Sequence, residues 1–383
     1  MKAIVAATGL AVVLAAPTVF AGGHGTEVDL TDLEWAKKIS LKGDLRMRFQ
    51  NDDDESRDGE RDRLRLRARI EATAKPSDIL TIGVGLASGS EDPVSTNQTI
   101  GEFNSSKSIN LDKAYFNIKT GDNTNVGGGK FSNTIYRPGK SQLQWDGDWR
   151  PEGLYGTYDG DLFFGNWLVS WLDGEDDDRS ASSPDDDLTL AIIQLGVKTE
   201  VAGTKVKAGI GYTQIDTEGQ TCFDSGDCGQ NSHTIMMGVH DTDFAVLDIF
   251  AEAGFTVGEQ PLKAWAQYIN NGDAEAAPSG DKLDSGYQVG AQLGKAKKKG
   301  TWQAKIYYQD LDADATLAAL ANSDFAGGGT DNEGIYLGGA YAISDQAQLS
   351  LSYFMGEDKN ERQAIPTAAQ DYETLQLDLK FKF

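Results

Sequence analysis

The sequence predicts an all-β chain, a transmembrane antiparallel up-and-down β-barrel of sixteen strands. Three observations predict it. Helical periodicity ends near residue 38 and gives way to period-two alternation of apolar and polar residues. The connections between these segments switch regularly between short and long, as in a barrel with turns on one side of a membrane and loops on the other. Several segments also carry charge opposite their apolar stripe, including a run of alternate arginines. A charged face needs water, and its apolar partner face needs a core or lipid. In lipid every backbone amide must pair within the protein, which leaves helices or a closed barrel.

Composition narrows the classes further. The 383 residues contain 35 Lys plus Arg against 59 Asp plus Glu, a formal net charge of −24. No basic face for nucleic acid is expected. A mean hydropathy of −0.43 excludes a bundle of membrane helices, each of which needs about 20 mostly apolar residues. Two cysteines and three histidines leave no Cys-based metal cluster and little for His-dependent catalysis. His233 and His240 lie near Asp241 and Asp243, but no G-x-S-x-G elbow accompanies them. We expect no enzyme, no cofactor and no bound metal. A non-conducting structural or receptor barrel is the alternative to a channel.

The elements follow in order. Residues 1–21 read as a secretory signal: Lys2, an apolar run from Ala3 to Ala16, and Val19-Phe20-Ala21 before Gly22. Residues 22–38 form a short periplasmic segment, with a helix over 31–38 that Thr31 and Glu34 would cap. The barrel occupies 39–383. Its strands are expected near 39–49, 63–72, 79–88, 109–119, 125–131, 152–158, 162–172, 188–198, 205–214, 246–256, 262–270, 284–294, 301–309, 334–343, 347–356 and 372–383. Residues 233–240 stay out of the barrel, because a seventeenth strand would put the termini on opposite sides. Cys222 and Cys228 flank a polar, turn-forming stretch, and a small disulfide loop fits an oxidising compartment. Aromatics near segment ends (Tyr158, Trp171, Tyr268, Trp302, Tyr341, Phe381, Phe383) fit interfacial girdles.

Parity locates the candidate site. On the first strand Lys42, Asp44, Arg46 and Arg48 oppose the apolar stripe, and on the second Arg63, Arg65, Arg67, Arg69 and Glu71 do. Lys205, Lys207, Lys263, Lys305, Lys380 and Lys382 share that parity, against Asp248, Glu252 and Asp378. The wall is therefore net positive, and the excess acid falls in loops such as 52–55, 175–178 and 185–187. Arg and Lys patches inside a pore favour anions. The other reading of these arginines is that loop acids pair with them and anchor an infolded loop. The acidic loops could also bridge to lipopolysaccharide through Ca²⁺ or Mg²⁺.

These motifs resemble a family. Gly43-Asp44-Leu45-Arg46-Met47-Arg48-Phe49, the Arg61–Arg69 run, Leu111-Asp112-Lys113-Ala114-Tyr115 and the terminal strand ending in Phe383 are similar to Gram-negative outer-membrane porins. More narrowly, they resemble the group called putative porins. The resemblance covers nearly the whole mature chain. It implies a sixteen-stranded barrel in outer-membrane lipid, passive diffusion of small hydrophilic solutes or anions, and a homotrimer. It also implies that the loop over 132–151 folds inward and narrows the pore. That loop carries Tyr136, Arg137, Lys140, Trp145, Asp146, Asp148, Trp149 and Arg150. If Asp146 and Asp148 face the arginines, the constriction carries a strong transverse field; the two tryptophans would either line a sugar slide or pin the loop.

Overall fold

The computed structural model describes residues 38–57, 59–172, 188–217, 235–236, 239–240, 242–277, 279–362 and 368–383. Ile39–Phe383 forms one unit, distinct from residues 1–38. The signal segment, the Thr31–Glu34 cap, Cys222, Cys228, His233, Asp241, and the acids at 175–178 and 185–187 lie outside the described residues.

Sixteen spanning strands make the barrel. They are β1 (Ile39–Asp54), β2 (Arg61–Ala74), β3 (Leu80–Ser88), β4 (Ile109–Lys119), β5 (Thr124–Lys130), β6 (Glu152–Asp159), β7 (Phe163–Trp171) and β8 (Thr189–Val201). The second half comprises β9 (Thr204–Ile215), β10 (Phe244–Val257), β11 (Gln260–Asn271), β12 (Ser285–Gly294), β13 (Trp302–Leu311), β14 (Asn332–Ala342), β15 (Ala347–Asp358) and β16 (Gln370–Lys382). Each pairs antiparallel with its sequence neighbours. β1 also pairs with β16, so the sheet closes and has no free edge. Gly43 N donates to Phe383 O at 3.0 Å and Phe383 N donates to Gly43 O at 3.1 Å, which extends that seam to the last residue.

Two short pieces complete the sheet count. Gln98–Thr99 pairs with β2 at Arg65 and Leu66, beyond the end of β3. Ile235–Met236 pairs with Val239–His240 in a separate two-stranded sheet, outside the barrel.

The alternation has the expected physical result. Leu45, Met47, Phe49 and Leu64 stand exposed on the outer face, while Arg46, Arg48 and Arg67 are buried on the inner one. All seven strand-end aromatics expected in girdles are exposed. One boundary needs correction. Asp52, Asp53 and Asp54 belong to β1 and not to a loop. All three continue the pairing with β16 and Asp52 also pairs with β2, and Arg63 Nη2 reaches Asp52 Oδ2 at 2.5 Å. Cross-strand charge pairing offsets the poor strand preference of aspartate.

The interior is uneven. Leu168, Leu190, Ile192, Ile215, Phe244 and Ile269 from β7 to β11 pack inside the barrel against Phe131, Leu143, Trp145, Leu317 and Leu320 from two loops. The β1–β2–β16 side instead carries guanidiniums and carboxylates. The lumen thus combines an apolar core, where the two loops pack on β7 to β11, with a charged wall on β1, β2 and β16.

Candidate permeation site

The charged wall begins with strand register. β1 and β2 place Arg46 beside Arg67, Arg48 beside Arg65 and Asp44 beside Arg69. Six guanidiniums stacked this closely need counter-charge. Five of them have a carboxylate within 4.0 Å. Arg48 donates to Asp378 on β16 at 2.7 Å, and Arg46 lies 3.7 Å from the same side chain. Arg63 pairs with Asp52. Arg67 and Arg69 share Asp44, both at 2.8 Å. Arg65 is the exception among the described residues: its Nη1 donates to Gln50 Oε1 at 3.2 Å, and its buried Nε has no protein acceptor. At the short-turn end, Lys42 and Lys113 converge on Glu71 at 3.4 and 2.8 Å, and Tyr115 donates to it at 2.9 Å.

Residues 131–151 fold across the interior. Tyr136 N donates to Gln194 on β8 at 2.8 Å, and Gln144 donates to Thr213 on β9 at 3.2 Å. At the tip, Gly139 N donates to Glu252 Oε2 on β10 at 2.7 Å, and Lys305 on β13 donates to Gly139 O at 3.0 Å. Arg137 donates to the Trp145 carbonyl at 2.7 Å, and burial lowers its pKa. Lys140 closes the tip turn, its N donating to Arg137 O at 3.1 Å. On the opposite flank Asp148 reaches the arginine wall, 3.0 Å from Arg69 and 3.9 Å from Arg67. Arg150 lies 3.3 Å from Asp112 and 3.8 Å from Asp148.

The structure separates the two aspartates of this loop and chooses between the two readings of its tryptophans. Asp146 does not face the arginines. Its Oδ2 accepts Ser323 N at 3.0 Å and Ser323 Oγ at 3.1 Å, while its own N donates to Leu320 O at 2.7 Å. Asp146 therefore joins this loop to a second one, and burial pushes its carboxyl up to about 7. Trp145 and Trp149 do not line a slide. They stack at 4.7 Å and are 2% and 3% exposed, so their role is to pin the loop to the apolar half of the wall.

The second loop, residues 312–331 between β13 and β14, was missed by sequence reasoning. Much of it is buried, including Ala313, Leu317, Leu320, Ala321, Phe325 and Asp331. It delivers Asp324 to the arginines: Arg48 Nη1 lies 3.4 Å from Asp324 Oδ1, and Gln376 donates to that oxygen at 2.9 Å. Burial raises the Asp324 carboxyl, but Arg48 and Arg46 outweigh it and hold the pKa below the ordinary range. A signal was present. Asp312-Ala-Asp-Ala-Thr-Leu-Ala-Ala-Leu and Phe325-Ala-Gly-Gly-Gly are too rich in small apolar residues for a water-exposed loop. A third contribution comes from Asn97, which accepts a hydrogen bond from Arg46.

Two cavities flank this constriction. One of about 1120 Å³, toward the long loops, is lined by Arg61, Arg63, Arg65, Asp92, Asp324 and Tyr372 among others. The other, of about 450 Å³, lies toward the short turns beside Tyr136, Arg137, Lys207 and Lys263. A closed barrel with charged mouths and infolded loops can hold an aqueous path.

The comparisons with known proteins agree with this geometry. A family model described as "Putative porin" matches residues 54–174 and 264–383. The chain belongs to the putative porin family. Among solved structures, Pseudomonas putida OprB at high pH superposes with a TM-score of 0.59 at 13% identity, covering 91% of this chain and 94% of that one. Salmonella typhi OmpF in complex with daunomycin gives a TM-score of 0.54 at 13% identity, with 90% and 97% covered. No curated protein matches the chain. Family and fold are those of a porin channel of the bacterial outer membrane, and of a channel rather than an enzyme.

Proposed function

We propose that this porin lets small hydrophilic solutes and ions diffuse passively across the outer membrane, favouring anions, as a homotrimer. The arginine column on β1 and β2 supports this reading most directly. Its charge is balanced over most of its length by Asp44, Asp52, Asp378, Asp148 and Asp324. The surplus rests on Arg65, with Lys305 and Lys380 on the same inner face; none of the three has a carboxylate within 4.0 Å among the described residues. Fixed charge at a constriction sets ion preference. No energy source or cofactor enters the reading. The partners it implies are outer-membrane lipid and lipopolysaccharide. Among the described residues no group of three or more potential ligands is placed to hold a metal ion.

A second reading has one observation in its favour. The two infolded loops meet at Asp146 and, with the apolar half of the wall, fill much of the interior. That would suit a plugged structural or receptor barrel.

Planar-bilayer recording with a salt gradient separates these readings. Discrete steps with an anion-selective reversal potential are expected, shifting toward cations in the Arg65→Ser, Arg67→Ser double variant, with heat-modifiable mobility retained. An unshifted reversal potential removes the arginines from selectivity. Steady silence from a folded barrel leaves the plugged reading.

A further inference from the structure

We propose that the cavity at the long-loop mouth is a binding site for a small organic monocarboxylate, held by Arg65 and Arg63. The inference rests on the porin reading only in taking this mouth as an entrance for solutes. Arg65 and Arg63 are alternate residues of β2, so both guanidiniums leave the same face, about 7 Å apart along the strand. Both line the cavity of about 1120 Å³, and the Nε of each is buried without a protein acceptor. Those Nε atoms are closed to solvent, so a ligand meets the Nη groups, and Arg65, whose guanidinium has Gln50 but no carboxylate as partner, can take a ligand carboxylate through charge-assisted hydrogen bonds.

The other charges in this cavity define the ligand. Asp52, Asp112, Asp148, Glu152 and Asp324 are each engaged, by Arg63, Arg150, Arg69, Lys130 and Arg48 respectively. Arg57 is engaged by Asp54 at 2.8 Å, and Arg61, exposed in the same cavity, forms no ion pair among the described residues. Glu91 and Asp92 also line the cavity, and neither forms an ion pair among the described residues. Burial raises the Asp92 carboxyl, and its Oδ1 accepts Val94 N at 2.8 Å. Glu91, and Asp92, whose charge Arg65 already feels, disfavour a second negative charge on the ligand. A dicarboxylate or a doubly charged phosphate should therefore bind worse than a monoanion. Ala319, Leu320 and Tyr372 line the same space and offer apolar surface to a carbon skeleton. A chloride ion would use the charge but not the fork or the apolar wall.

The test is titration of the purified, detergent-solubilised protein with butyrate, followed by calorimetry and, separately, by interruption of single-channel current. Saturable binding is expected, at least about tenfold weaker in Arg65→Gln, the loss usual for one charged hydrogen-bonding partner. Arg65→Lys should recover only part of it, since it keeps the charge and loses the fork. Glu91→Gln should improve binding of succinate. Equal affinity for phosphate and butyrate would overturn the carboxylate assignment in favour of a general oxyanion site. Undiminished butyrate binding by Arg65→Gln in a folded barrel would overturn the site itself. Calorimetry keeps the two proposals separable: binding without conductance defeats the channel reading alone, and conductance without binding defeats this one alone.

Discussion

At the scale of single residues, what matters is which carboxylate reaches which arginine. Asp148 and Asp324 come from different loops, yet both end on the β1–β2 wall. Asp146, two residues from Asp148, turns the other way and takes Ser323 as its partner. Its environment makes the contact pH-dependent. Burial raises the folded carboxyl to about 7, against hydrogen bonds from the Asp148 and Ser323 amides that favour the charged form. A raised carboxyl means that folding favours the protonated group. Its contribution is full below the ordinary carboxylate range and is lost as pH rises through about 7. Amide exchange at Ser323, corrected for its intrinsic pH dependence, should therefore be slower at pH 5 than at pH 8.5 (roughly the window that brackets such a group). Asp146→Asn should flatten that difference. Exchange independent of pH in the unmodified protein would show that the carboxylate does not govern the loop junction.

At the scale of elements, the infolded loops are held by backbone geometry as much as by charge. Gly139 has φ +58, and a Cβ there would sit 2.2 Å from Trp265 Cδ2. The left-handed backbone alone disfavours an L side chain by about 1–2 kcal/mol, and the indole leaves no room. Gly139→Ala should lift the loop tip off β10 and β11, breaking its bonds with Glu252 and Lys305. The expected result is a larger single-channel conductance from a barrel that still folds. An unchanged conductance would mean that the tip does not bound the conducting path. The strands themselves were legible in the sequence because a pleat exposes alternate residues whatever lies across the barrel. The plug was less so, although its receiving wall left a mark. Leu190-Ala-Ile-Ile and Phe244-Ala-Val-Leu lose the alternation that marks the first two strands. Both faces of those strands are apolar because one meets lipid and the other meets the loops.

For the whole molecule, closure is the decisive act. A membrane strand with a free edge would expose unpaired amides to lipid. The seam between β1 and β16 prevents this, and Phe383 completes it with two backbone hydrogen bonds to Gly43. A Cβ at Gly43 would lie 2.4 Å from the Phe383 ring and 2.5 Å from Arg69 O. Gly43→Val should therefore impair closure and lower the yield of heat-modifiable protein after refolding. Pairing it with Phe383→Ala, which removes the ring but not the carbonyl of Arg69, should restore it only in part. Full-yield refolding of Gly43→Val would show that the seam tolerates separation there.

The sequence by itself determined the barrel, its strand number and the face on which each arginine lies. Those properties depend on neighbours two residues apart. Only the tertiary structure decided what the arginines meet. Arg48 and Asp378 are 330 residues apart, and Ser323 and Asp146 are 177 apart. No local pattern records such pairings. They follow from the order in which a closed sheet brings its strands together, and from two loops of compatible shape sharing one interior.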